Sequence, residues 1–141
     1  MPQGKVDPAN SILIAGYPLI SEYEVKTVAH CYPGHLVMND TNDYSVKCCT
    51  TAATTCLGVL DVEPNELKTK IYTQYDQARV LTGPIVVLLL KDSGLACVPG
   101  TLMMAGNEGC VTPGSAAGTV VARALETGTV AREWVKCQML I

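Results

Sequence analysis

Tyr32-Pro33-Gly34-His35-Leu36-Val37-Met38 returns later in the chain as Val98-Pro99-Gly100-Thr101-Leu102-Met103-Met104. Further along each half a second pair matches, Leu57-Gly58-Val59-Leu60-Asp61 with Val121-Ala122-Arg123-Ala124-Leu125-Glu126, the latter one residue longer. Each Pro-Gly suits a type II turn, in which proline presets φ and glycine takes the left-handed corner. Short apolar runs flank the turns, and polar loops rich in Thr, Gly and Asn separate them. Strand, turn, strand, turn, strand in both halves predicts an all-β fold: a small β-barrel or sandwich built from two similar halves.

Working outward, Tyr23, Val25 and Thr27 alternate with Glu22, Glu24 and Lys26, the period-two pattern of a half-buried strand. Tyr44, Val46 and Cys48 alternate with Ser45 and Lys47 in the same way. Ala78 to Leu81 and Ile85 to Leu90 read as strands around Gly83-Pro84, the second apolar on both faces and therefore central. In 129–141 the apolar odd positions Val135, Cys137, Met139 and Ile141 face away from Arg132, Lys136 and Gln138. The stretch from Ser115 to Glu126 has a helical composition, but Gly118 and β-branched Thr119-Val120-Val121 favour a strand. Residues 1–20, with their prolines and glycines, are expected to be an extended N-terminal arm. Residues 21–141 are expected to be one β-barrel-like domain, with 64–77 a polar surface insert.

The 141 residues carry 48% apolar and 16% charged side chains, against a usual charged share of about 25%. That balance excludes general disorder and favours a subunit that buries surface in an oligomer. Net charge is −3 and the basic residues are scattered, which argues against nucleic-acid binding. The N-terminal residues lack the apolar stretch of a signal peptide. The longest apolar run, Pro84 to Leu90, is far below the ~20 residues that span a bilayer. A soluble, unexported chain with no membrane partner is expected. Seven cysteines without a Cys-x-x-Cys pair read as free thiols packed as small hydrophobes.

Residues with chemical capacity are few. His30 and His35 flank Cys31 and the first Pro-Gly, and read as a surface turn histidine and a partly buried one. Metal ligation would need at least three converging ligands, and a thiolate–imidazole pair would need proximity and a lowered thiol pKa. Asp40-Thr41-Asn42-Asp43 lacks the ligand spacing of a calcium loop. No phosphate-binding or nucleophile-elbow motif occurs, and no lysine occupies either Pro-Gly hairpin as a biotin or lipoate carrier would require. No catalytic residue, cofactor or metal is expected, and the chain reads as a non-enzyme. The candidate residues lie on contact surfaces instead. Ile12, Leu13, Ile14 and Tyr17 form a sticky segment expected to dock on this domain or to extend a neighbour's sheet edge. Trp134, flanked by Arg132 and Lys136 on the polar face of the last strand, reads as an interface anchor or as packing under a loop.

Residues 84–126 run as an apolar strand, Pro99-Gly100-Thr101-Leu102, Asn107-Glu108-Gly109-Cys110-Val111-Thr112-Pro113, a Gly/Ala-rich loop, and Val120-Val121-Ala122-Arg123-Ala124-Leu125-Glu126. In this order, over Val25 to Ile141, the chain resembles the head decoration or structural cement proteins of tailed bacteriophages and related viruses. The resemblance implies a β-barrel-like subunit on the exterior of an icosahedral capsid, assembled in the host cytoplasm. It implies a homotrimer that bridges and stabilises neighbouring major capsid proteins, with an N-terminal arm that joins a partner's sheet. The alternative is a small non-viral β-barrel binding module for a carbohydrate or peptide.

Overall fold

The two Pro-Gly corners are turns with left-handed glycines, φ 82° at Gly34 and 95° at Gly100. Each delivers the chain into a strand, β3 (Leu36–Asn39) and β8 (Leu102–Ala105). The computed structural model describes residues 11–63, 66–92 and 94–141. The other strands are β1 (Leu13–Ala15), β2 (Leu19–Val25), β4 (Ser45–Cys48), β5 (Cys56–Leu60), β6 (Gln77–Thr82), β7 (Val86–Leu90), β9 (Val111–Pro113), β10 (Val120–Ala124) and β11 (Trp134–Met139). A single 3-10 turn, Asn107–Gly109, is the helical element among the described residues. The ambiguous 115–126 stretch contributes strand β10, as its β-branched residues predict.

The duplication runs through the whole ladder. Strands β2-β4-β3-β5-β6 form a closed barrel, and β1-β7-β11-β10-β8-β9 form a six-stranded sheet. With β1 set aside, β7 to β11 follow the chain order and neighbour relations of β2 to β6. The barrel closes through parallel pairing of β2 with β4 at Glu24↔Ser45 and Val25↔Val46. In the second half the corresponding closure is one parallel bridge, Lys91↔Val111. Strand β1 pairs antiparallel with β7 beside that seam.

Even the turns before the last strand of each half correspond. The Thr73 N–H donates to Asp76 Oδ2 at 3.0 Å, and the Val130 N–H donates to Glu133 Oε2 at 3.1 Å. Tyr75 and Arg132 occupy equivalent left-handed positions, φ 70° and 62°. Their N–H groups donate to the carbonyls of Val25 (2.7 Å) and Lys91 (2.9 Å).

Alternation along the strands divides the apolar residues between two clusters. Val25, Val37, Val46, Leu60, Val80 and Tyr72 fill the first barrel. Leu36, Val59 and Leu81 point the other way, into a cluster shared with Val87, Leu89, Met103, Val121 and Val135 of the second half. Each such side chain, fully buried, contributes about 1.5–3 kcal/mol, so the shared cluster binds the halves to each other. Where β5 crosses β6 the approach is close: a β-carbon on Gly58 would stand 2.4 Å from the Leu81 carbonyl oxygen.

Several local expectations come out differently. Residues 1–10 of the expected arm lie outside the described residues, while Ile12 is fully buried and Leu13–Ala15 and Leu19–Val25 are strands of the two sheets. Within 64–77, residues 64 and 65 lie outside the described residues. The rest does more than cross the surface: Tyr72 sits in the barrel core with its hydroxyl donating to the Asp61 carbonyl, and Gln77 begins β6. Tyr44 points to solvent from a left-handed backbone, and Ser45 is buried in its place. The Ser45 hydroxyl donates to the Asn42 carbonyl at 2.6 Å, which meets the requirement that a buried polar group be bonded. In β11, Val135, Cys137 and Met139 are buried as expected, whereas Ile141, expected on the same face, lies past the strand's end and is exposed. The cysteines are free thiols, with Cys31, Cys49, Cys97, Cys110 and Cys137 buried.

Candidate functional site

A cleft of about 520 Å³ opens where the two halves meet, lined by His30, Tyr32, Pro33, His35, Lys68, Thr69, Leu90, Glu108, Arg132 and Trp134. Its walls come from the loop before β3, the segment before β6, the end of β7, the 3-10 turn and the start of β11. Three lining residues other than glycine have left-handed backbones: His30 (φ 60°), Glu108 (57°) and Arg132 (62°). Such conformations cost of order 1–3 kcal/mol each and persist where the surrounding structure imposes them.

The polar groups of the cleft are held in specific pairs. His30 Nδ1 lies 3.4 Å from Glu108 Oε2. His35, only 2% exposed, bonds through Nδ1 to the Glu108 carbonyl at 2.9 Å. A carbonyl only accepts, so the proton is on Nδ1 and the neutral ring keeps Nε2 as its acceptor. Burial lowers the His35 pKa, with the nearby Arg132 charge adding to the effect against the opposing Glu108 carbonyl. The Lys68 ammonium sits 5.1 Å from the Trp134 ring centre, a cation–π contact made by a lysine 7% exposed. Arg132 Nη1 donates to Cys110 Sγ at 3.2 Å. Burial raises the Cys110 thiol to about 11, so the sulfur is a protonated, weak acceptor at neutral pH.

Of the residues expected at contact surfaces, Arg132 and Trp134 line this cleft. Ile12 lies behind it, and both its Cδ1 and the Trp134 ring pack over Gly34. Leu13 and Ile14 are half-buried on β1, the edge strand of its sheet. Lys136 is half-buried in β11, with its N–H donating to Glu126 Oε1 at 2.8 Å. Tyr17 stands apart, 95% exposed, and is followed by Leu19 and Ile20 at 70% and 47%. Leu19 pairs with Thr82, and the adjacent Gly83 N–H donates to the Ile141 carbonyl, so the start of β2 and the end of the chain share one apolar corner. The readings of single segments missed Lys68, Glu108 and Leu19. Lys68 and Glu108 reach the cleft through tertiary packing, while Leu19-Ile20 was visible as an apolar pair next to Tyr17. At Asp40, the Thr27 hydroxyl (2.6 Å) and the Thr41 N–H (2.7 Å) donate to the carboxylate and lower its pKa. That carboxylate closes its own turn.

No protein-family model matches the sequence, and no curated protein matches it. Solved structures do match the fold. The N base of the head fiber protein gp8.5 of bacteriophage phi29 superposes with a TM-score of 0.57 at 14% identity, covering 86% of this chain and 94% of that one. A chain of the capsid of Myoviridae phage XM1 superposes with a TM-score of 0.62 at 18% identity, covering 97% of this chain and 92% of that one. Both likenesses take in the two halves together, and the chain therefore carries a fold found in bacteriophage head proteins.

Proposed function

We propose that this protein is a non-enzymatic structural component of a virion, bound to the exterior of an icosahedral capsid as a decoration or cement subunit. In this reading it bridges neighbouring major capsid proteins and stabilises the shell. The observation that carries the reading is the whole-chain likeness to two phage head structures. The exposed side chains of Tyr17, Leu19 and Ile20 support it, because large apolar groups left in water on one chain offer area that a neighbour can cover. A homotrimer is the proposed assembly, in keeping with the low charged fraction. Contacts of modest area, repeated by symmetry, would strengthen a shell through avidity.

The test is addition of the purified chain to mature, expanded shells, read by co-sedimentation and by the temperature at which the shells break. Binding with a raised temperature is expected, together with a solution mass of three chains. Replacing Tyr17 and Leu19 by serine is expected to weaken binding at least about tenfold while leaving the fold intact. Absence of binding and an unchanged temperature would overturn the reading.

A further inference from the structure

The internal duplication allows one cleft residue to be compared with its own counterpart. Arg132 and Tyr75 hold the same place in equivalent turns, with φ 62° and 70° and the same backbone hydrogen bond to the end of their half's first strand. The backbone conformation therefore belongs to the turn. The guanidinium belongs to the second half alone, at the position that lines the cleft.

Arg132 is an exposed residue, so its guanidinium is open to a ligand from solvent. Among the described residues its side-chain hydrogen bond goes to Cys110 Sγ, a weak acceptor. The cleft's carboxylate, Glu108, lies against His30 instead. An arginine fork carries five N–H donors in one plane and pairs best with two oxygens of a carboxylate. Arg132 lines the cleft, and Pro33 and Leu90 add apolar wall beside it. The cavity is within the roughly 300–1,000 Å³ of small-ligand sites.

From this arrangement we infer that the cleft is a binding site for a carboxylate carried by an acidic peptide segment of a partner protein. Arg132 takes the carboxylate, and Pro33 and Leu90 take an apolar neighbour in the same segment. A peptide is favoured over an acidic sugar because the aromatic rings are engaged within the wall. Trp134 packs on Gly34 and under the Lys68 ammonium, and Tyr32 leans on His35 with ring centres 5.4 Å apart. A pyranose would need an open ring face, whereas a glutamate side chain needs the fork. The site is separate from the apolar corner at Tyr17 to Ile20.

The chain contains one tryptophan, Trp134, so its fluorescence reports on the cleft directly. The full-length protein is titrated with acetyl-Leu-Glu-Leu-amide, with its glutamine counterpart and with glucuronate. The glutamate peptide is expected to give a saturable change, and the glutamine peptide to bind at least about tenfold more weakly. Arg132→Gln is expected to cost a similar factor, and Glu108→Gln to tighten binding by removing a repelling charge. Absence of saturation with the glutamate peptide overturns the inference, as does saturation by glucuronate alone. Equal binding of the two peptides overturns it too. Should Arg132→Gln fail to fold, Glu108→Gln decides: unchanged or weaker binding defeats the carboxylate assignment. The titration uses the isolated chain, so its result is independent of attachment to a shell.

Discussion

The ring of Trp134 occupies the space a side chain on Gly34 would fill: a β-carbon there would stand 2.4 Å from Cζ3 and 2.7 Å from Cη2. A turn in the first half and the last strand of the second half are thereby fitted to each other at one atom's tolerance. The equivalent glycine of the second half, Gly100, has the same kind of left-handed backbone but open space around it.

Those two glycines make a matched experiment. Gly100→Ala is expected to cost about 1–2 kcal/mol, the backbone penalty of a left-handed L-residue. Gly34→Ala adds the collision with Trp134 and is expected to cost about 2–4 kcal/mol in total. Urea unfolding of the two variants measures the difference. Equal losses would mean that the Trp134 ring moves aside freely.

The seven thiols are expected to divide by environment. Burial raises the Cys31 thiol to about 12, and Cys49 is likewise raised, chiefly because its hydrogen bond to Cys56 holds its proton. The same bond lowers the Cys56 thiol below its ordinary value, and Cys56 is half-buried where Cys31 and Cys49 are fully buried. Thiolate is the reactive form. Alkylation by iodoacetamide at neutral pH, followed by peptide mass mapping, is expected to find Cys56 modified first and Cys31 and Cys49 only on unfolding. Early labelling of Cys31 would contradict the burial that sets this order.

Stability is expected to fall on mild acidification through His35. Its pKa in the folded chain lies below the ordinary 6.5 because burial disfavours the imidazolium. Above 6.5 the ring is neutral in both states and contributes no pH dependence. Between 6.5 and the lowered folded value, the unfolded chain binds a proton that the folded chain refuses. Stability therefore declines as pH drops through that window and levels off below it. Urea midpoints measured from neutral pH downward, for the native protein and for His35→Asn, test this. The native slope is expected to shrink in the variant.

Much of the secondary structure was legible in the chain itself. Period-two alternation marks Val135, Cys137 and Met139 as one buried face, and the paired Pro-Gly turns mark two similar halves. The β-branched run at 119–121 selects strand over helix. These features are local: a turn's dihedral angles and a strand's alternation are set by residues a few positions apart. Tyr44 shows the limit, since a left-handed residue at the strand's start shifts which neighbour faces inward, and a side-chain bond makes Ser45 acceptable inside.

Alone, then, the sequence determined the all-β class, the twofold repeat and most of the strand faces, because each follows from short-range sterics and hydropathy. Only the tertiary structure decided that the first half closes through Val25 while its counterpart closes by a single bridge at Lys91 beside β1. It alone assembled Arg132, Lys68, Glu108 and Trp134 around one cleft. Closure and convergence depend on hydrogen bonds and packing between segments far apart in the chain, and no local pattern encodes which distant partners will meet.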